Sequence, residues 1–513
     1  MPTMAQLDTT HLSTPQLLGA LAALYIGYSV ARRFYINAQI NKLGARAPIR
    51  KSYLPWGIDI AWEAVQSALD DKTYEMWTNI FTKECATGRY TVEVGLGDRL
   101  IMTAEPENIK AILATQFKDY GKGEQFRKDW YNFLGNGIFT TDGELWHNSR
   151  QLIRPQFIKD RLSDIDIFEQ HTQILISKIG NGQEIDTLDM MFRYTLDAAT
   201  HFLLGQSVGS LEEPKTEFAD AFYNAQRIQS IIARVGPLNW VVPRKYMGFY
   251  DSVNKINSFV STFIDRALAL SSEELEKISK NDEEYTFLHA LASYTRDRST
   301  LRDQIVNVLL AGRDTTACTL TWTIYHLSMD PVITAKLRQE IISTVGLDNK
   351  PTYENLKNMK YLQHIINETL RLYPVVPYNV RMALKDTTLP TGGGPDGTLP
   401  LGIRAGTAVG YSTLIMQRRE DLYPPTSASF PPPSAFAPDR WDAWTPKSWT
   451  YIPFNGGPRI CIGQQFALTE MGYTLVRLFQ RFETVENRMA GVEPGLHADI
   501  VLQPAKEVRV VFK

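Results

Sequence analysis

Phe454-Asn-Gly-Gly-Pro-Arg-Ile-Cys461-Ile-Gly463 is the stretch on which the reading of this chain turns. It sets one cysteine, near the C-terminus, in a loop rich in glycine and proline, with Arg459 two residues before it. Such a loop can run close to a flat partner because Gly456, Gly457 and Gly463 carry no Cβ. Backbone N–H groups around a sulfur moderate the charge that a thiolate donates to a metal. A neighbouring arginine offers a rigid fork of donors suited to a carboxylate. These are the requirements of a thiolate ligand to haem iron, with Arg459 on a propionate. The competing reading is a free cysteine buried in a turn, a common fate of that residue.

Length and composition frame the rest. At about 150 residues per domain, 513 residues would make about three domains. No internal repeat, Ser/Gly-rich linker or long charge block offers a place to cut, so one large, mainly helical catalytic domain is expected. The balance of 54 basic against 56 acidic residues, net charge -2, argues against nucleic acid as a partner. Cys85, Cys318 and Cys461 lie far apart, with neither zinc-ligand spacing nor a disulfide framework, which fits a reducing compartment. The Cys-x-x-Cys-His run of a c-type haem is absent.

From Leu17 to Ala31 the chain is almost wholly apolar or small, and Arg32 and Arg33 follow at once. With Phe34 to Ile36 the segment approaches the roughly 20 residues that cross a bilayer. No Lys or Arg precedes it, so the charged start of a cleaved signal is missing. Positive charge after the helix orients the bulk of the protein to the cytosol. The expectation is a membrane anchor over 1–36 and a basic, Pro-marked hinge over 37–60 (Lys42, Arg46, Pro48, Arg50, Lys51, Pro55). The catalytic domain then fills 61–513. A cleaved signal, a buried core helix and an amphipathic surface helix are the other readings of the first segment.

Further along, alternation at Tyr90–Val94 and Asp98–Thr103 predicts a hairpin, and Thr141-Asp142-Gly143 opens a helix with Trp146 and Arg150 on one face. Between roughly 205 and 290 the patterns are helical, without nameable chemistry. A long helix is expected from about Ser299 to Asp330, with Thr300 and Asp303 as a capping box and Pro331 as its stop. Inside it, Ala311-Gly-Arg-Asp-Thr-Thr316 gives up a side chain at Gly312, where something flat must approach. It also places an acid and hydroxyls where a buried helix tolerates them poorly. A threonine there can bond back one turn and open a groove. Glu368 and Arg371 form an i, i+3 pair in apolar surroundings and are expected to be buried. The run Pro424 to Ala435 is expected as an extruded, proline-rich surface loop.

Phe454, Gly457, Arg459, Cys461 and Gly463 match Phe-x-x-Gly-x-Arg-x-Cys-x-Gly, and on that signature the chain resembles the cytochromes P450. The resemblance implies a mainly α fold with small β-sheets (α+β), one large catalytic domain and an N-terminal membrane anchor helix. It assigns Cys461 as iron ligand, and Trp146, Arg150, Arg381 and Arg459 to the haem propionates. Ala311 and Gly312 lie over haem b, Thr315 hydrogen-bonds dioxygen, and Asp314 helps bring protons in from solvent. Val375 and Val376 would line the substrate pocket. Arg440 would join Glu368 and Arg371 in a buried network behind the cysteine loop. Arg313, Gly392–Gly397 and the run Gly463–Glu470 are similar to fungal alkane and fatty-acid hydroxylases.

The implied activity is insertion of one atom of O2 into a C–H bond of a hydrophobic small molecule. Electrons come from NADPH through a separate NADPH–cytochrome P450 reductase, with cytochrome b5 as a further candidate donor. No dinucleotide-binding glycine pattern follows a strand here. Fatty-acid or alkane hydroxylation at the endoplasmic reticulum membrane is the leading expectation. Tailoring of a polyketide- or terpenoid-like fungal metabolite is the alternative. A haem protein without turnover, or an isomerase-type member, is the reading of another class, and Asp314-Thr315 speaks against it.

Overall fold

The computed structural model describes residues 14–54, 57–85, 87–96, 98–157, 165–180, 182–280, 285–427 and 430–513. Helices dominate. Those that position the site are α1 (Thr14–Leu43), α2 (Ile58–Leu69), α3 (Gly143–Ile153) and α4 (Thr187–Leu204). They continue with α5 (Glu217–Val235), α6 (Arg298–Met329), α7 (Lys360–Leu372) and α8 (Gln464–Arg481). The expected hairpin is present as β1 (Thr91–Leu96) and β2 (Asp98–Thr103). With β3 (Tyr120–Gly121), β4 (Tyr378–Ala383) and β5 (Ala408–Ser412) they make a sheet of order β1-β2-β5-β4-β3. Only the β2–β5 pair in it is parallel. A two-stranded hairpin, β6 (Leu496–Ala498) and β7 (Leu502–Pro504), lies near the C-terminus.

α6 is the axis of the molecule. Its 32 residues extend about 48 Å at 1.5 Å per residue. Leu301, Ile305, Val306, Leu309 and Leu310 enter one apolar core with α5. Ala317, Cys318, Leu320, Trp322 and Ile324 enter a second core with α7 and α8. A third core lies under the main sheet. The helix is capped by Asp297, which accepts from Thr300 N at 2.8 Å, and not by the expected Thr300–Asp303 box. Asp303 is drawn away instead, accepting from Asn136 N at 2.7 Å.

Two expectations at the N-terminus need correction. Among the described residues no helix is long and apolar enough to cross a membrane. The apolar run Leu17–Ala31 rises only about 22 Å before Arg32, against a hydrocarbon core of about 30 Å. Nor is there a hinge at 37. α1 continues to Leu43, Ile40 is buried, and Ala45 and Ile49 form bridges to Leu401 and Glu93. The two arginines of that stretch are ion-paired: Arg46 with Glu93, and Arg50 with Glu63 and Glu84. Residues 1–13 of the expected anchor and Pro55 lie outside the described residues.

The proline-rich run is extruded only in part. Pro424 to Ser427, Pro432 and Ser434 are exposed, and Ala428 and Ser429 lie outside the described residues. From Phe430 the chain winds around two buried arginines. Arg371 donates to Pro433 O (2.7 Å) and Ala435 O (3.1 Å), and Arg440 to Pro431 O and Pro432 O (both 2.9 Å). Proline supplies carbonyls with no competing N–H. Glu368, fully buried, accepts from Arg371 Nε and Nη2 (both 2.8 Å), Arg440 Nε (3.2 Å), Trp441 Nε1 (3.0 Å) and Ala437 N (2.9 Å). Removing the carboxylate strands two buried cations. Glu368→Ala is therefore expected to cost about 3–5 kcal/mol, read as a lowered unfolding midpoint, and a change below about 1 kcal/mol, the scale of an exposed ion pair, would show the network to be dispensable.

Candidate active site

The polar segment Ala311–Thr316 occupies the interval of α6 between the two cores. From Asp303 to Tyr325 the residues of α6 that are not buried are Val308, Ala311, Gly312 and Thr315. Their spacing, i, i+3, i+4, i+7, is a single helix face. A helix otherwise enclosed by protein thus opens one stripe onto interior space. At Gly312 an added Cβ would meet only Ala199 Cβ, at an ordinary 3.8 Å, so the protein's own packing leaves room beside the glycine. Thr315 Oγ1 donates to Ala311 O at 2.7 Å, one turn back, which fixes the hydroxyl on this face with its lone pairs free to accept.

Asp314 is buried and leaves α6 on another side. Gln226 of α5 donates to its Oδ2, and Arg313 Nη1 lies 3.2 Å from its Oδ1. Arg313 also donates to Gln226 Oε1 at 3.2 Å and stacks on Phe192 and Phe222. Burial pushes the Asp314 carboxyl up, Arg313 and Gln226 pull it down, and Asp499 adds to the rise. Behind α6, Glu470 of α8 is buried against Thr316, and burial pushes its carboxyl up to about 8.

The cysteine loop is fixed by its backbone. Cys461 N donates to Phe454 O at 2.9 Å, and Asn455, at φ 64°, hands its side-chain oxygen to Tyr411 Oη (3.0 Å). Gly457 has φ +66°, and a Cβ there would fall 1.9 Å from Leu113 O, so glycine is demanded by protein contact. Gly463 follows the sulfur with Phe157 at 3.7 Å from its would-be Cβ. The Cys461 side chain is accessible, yet protein encloses it at longer range. That enclosure pushes the thiol up, while the Gly463 N–H and Arg150 act in the opposite sense.

Around the loop the cations outnumber the carboxylates. Arg459 stacks on Trp146 of α3, 4.6 Å to the ring centroid, and its Nη2 donates to Thr141 O (2.8 Å) and Asp142 Oδ1 (2.6 Å). Its Nε is buried without a partner. Arg381 of β4, buried, donates to Asn379 Oδ1 (3.1 Å) and Val380 O (2.9 Å) beside Tyr411. Burial and the neighbouring Arg381 lower Arg459 to about 10 despite Asp142. Lys122 is pushed well below the usual lysine range by burial, Arg381 and Arg459. Arg150 is lowered by burial, with Cys461 opposing. Among the described residues, four basic side chains facing one carboxylate, Asp142, fit a doubly anionic group beside the thiol, and the propionates of haem meet that description.

Of the two valines assigned to the pocket, Val375 is buried in the core and its carbonyl accepts from Leu502 N at 2.8 Å. Val376 alone presents its side chain to open space, at 38% exposure. Three residues escaped the sequence reading: Lys122, which sits in no motif; Asp142, taken only as a helix start; and Gln226, in a stretch without recognisable chemistry. A charge-assisted hydrogen bond contributes about 1.5–3 kcal/mol. Lys122→Met should therefore speed transfer of haem to apomyoglobin on the order of tenfold, and an unchanged rate would remove Lys122 from the site.

The family model for cytochrome P450 matches residues 60–512. The chain is 49% identical to cytochrome P450 monooxygenase pvhE of Talaromyces variabilis, over 96% of this chain and 94% of that one. It is 44% identical to cytochrome P450 52A1 of Candida tropicalis, over 75% and 73%. It is 38% identical to cytochrome P450 52E1 of Candida apicola, over 96% and 94%. The solved haem domain of cytochrome P450DA shares the fold, with TM-score 0.74 and 19% identity over 92% of this chain and 98% of that one. With a thiol presented by Phe454–Gly463, a cationic cradle around it and a helix opened at Ala311–Thr315, the chain belongs to the cytochrome P450 family of haem-thiolate monooxygenases.

Proposed function

We propose that this monooxygenase hydroxylates long-chain apolar substrates of the fatty-acid or alkane kind. The observation that carries the reading is the open stripe Val308, Ala311, Gly312 and Thr315, bordered in composition by aliphatic and small side chains with a single hydroxyl. Such a lining binds by burial of apolar surface, about 25 cal/mol per Å², and leaves the choice of carbon to position alone. The likeness of Arg313, Gly392–Gly397 and Gly463–Glu470 to fungal hydroxylases of that class supports it.

Cys461 would hold haem b, with Arg150, Arg381, Arg459 and Lys122 toward its propionates, and the bound group would supply the oxygen-activating chemistry. The protein's own residues do the rest. Trp146 stacks on Arg459 and fixes its fork. Gly312 and Ala311 keep the face of α6 clear, Thr315 holds a proton beside dioxygen, and Asp314 is the acid that replenishes it. Electrons come from NADPH through a cytochrome P450 reductase, with cytochrome b5 as a second donor. Attachment to the endoplasmic reticulum membrane, catalytic domain to the cytosol, would use α1, whose Leu18, Leu21, Leu24, Ile26 and Phe34 are all more than half exposed. Entry into one leaflet suits a run of that length.

Dodecanoic acid, offered with reductase and NADPH, should yield a hydroxylated product. Turnover of polycyclic aromatic or terpenoid compounds with none of dodecanoate would favour the metabolite-tailoring reading instead. Thr315→Ala should keep haem and the red-shifted carbon-monoxide band of the ferrous protein while diverting most reducing equivalents to peroxide; intact coupling would end its assigned role. Removing Thr14–Arg33 should move the protein out of the membrane pellet, and an unaltered pellet fraction would exclude α1 as the attachment.

A further inference from the structure

α5 carries a polar stripe that the activity described so far does not use. Gln226, Ser230 and Arg234 are spaced by four, so they share one face. Gln226 donates to Asp314. One turn on, Ser230 donates to Asp499 Oδ1, and Arg234 Nη2 pairs with the same oxygen at 3.1 Å. Asp499 lies in the turn between β6 and β7. Beside it on β6, His497 Nδ1 is 2.5 Å from Asp71 Oδ1 and its Nε2 is 4.0 Å from Asp499 Oδ2. Side-chain exposure is 28% at His497 and 26% at Asp499 and falls to 6% at Asp314, and Ser230 between them is buried.

The geometry points to a proton-entry path along α5: His497 takes a proton from solvent, Asp499 and Ser230 pass it inward, and Asp314 receives it while Gln226 and Arg313 hold its orientation. The inference rests on the monooxygenase reading above. Each turnover consumes one dioxygen, two electrons from the reductase and two protons. One oxygen atom enters the substrate and the other leaves as water. The path carries protons only, and each group regains from solvent the one it hands on. Imidazole, carboxylate and hydroxyl each both donate and accept across their protonation states. From Ser230 to the level of Gln226 is one helical turn, about 5–6 Å, a span that one water bridges. The charges facing the path are Asp71 and Asp499 on His497, Arg234 on Asp499, and Arg313 on Asp314.

A clasp that merely pins α5 would use the same contacts, so the test reads proton movement. Full-length holoprotein with reductase, NADPH and dodecanoic acid is compared with Ser230→Ala, Ser230→Thr and His497→Gln. Ser230→Ala should lower NADPH oxidation on the order of tenfold, well under the effect of losing a direct acid, at unchanged apparent KM for reductase. It should raise both the solvent hydrogen isotope effect and the share of electrons ending as peroxide, and Ser230→Thr should restore all three. His497→Gln should move NADPH oxidation, isotope effect and peroxide share in the same direction as Ser230→Ala. Ser230→Ala and His497→Gln proteins that keep haem, NADPH oxidation, isotope effect and peroxide share as in the parent would sink the path and leave the monooxygenase reading standing. A parent protein without the shifted carbon-monoxide band would overturn both.

Discussion

A helix enclosed by protein has to hide each polar group it carries, and α6 carries five polar or small residues and one alanine in the interval its two cores leave between them. Each is accounted for by a different neighbour. Thr315 turns its proton onto Ala311 O, Asp314 and Arg313 close on Gln226, and Thr316 lies against Glu470. What is left uncovered is the stripe from Val308 to Thr315. Were that interval apolar, the two cores would merge and the stripe would close, as close packing of interiors requires. The open face therefore lies where burial on either side is interrupted.

Buried charge separates scaffold from site in this fold. At Glu368 five donors converge on one carboxylate, and the two arginines turn their other N–H groups to proline and alanine carbonyls and to Tyr423 Oη. Nothing there is left to bind a ligand, and the network's work is to lock α7 to the segment that leads into the cysteine loop. Around Cys461 the reverse holds. Lys122, Arg150, Arg381 and Arg459 disfavour one another's charge, and among the described residues Asp142 is their single close carboxylate and Arg459 Nε has no partner. Such a cluster costs stability until an anion arrives, which makes anion binding and local stability the same quantity.

The sequence made local chemistry legible and long-range partnership illegible. The cysteine loop, the Glu368–Arg371 pair and the β1–β2 hairpin depend on neighbours within a few residues, and pattern alone found them. Trp146 and Arg150 were expected on one face, side by side toward the haem propionates, and the cation stacked on the ring is Arg459, more than 300 positions away. Gly457 looked like a concession to a cofactor, and its tightest neighbour is Leu113 O. The proline run was misjudged because prolines were counted as loop formers. Their carbonyls, as acceptors for Arg371 and Arg440, were not considered. The end of α1 was misplaced for the same kind of reason: pairing of Ala45 and Ile49 with distant strands, invisible to periodicity, holds the supposed hinge.

Gln226 shows what such a missed partnership does. It is the one side chain of α5 that reaches both Arg313 and Asp314, so the register of α5 against α6 is tied to the orientation of the acid. A shift of α5 relative to α6 would first break these two contacts. Asp314 would then be left with Arg313 alone. A lone salt bridge between adjacent residues constrains a carboxylate less than a second, sequence-distant donor does, because only the latter fixes it relative to another element. The register of α5 and the orientation of the Asp314 carboxylate are on this account set together, by an amide that no motif marks.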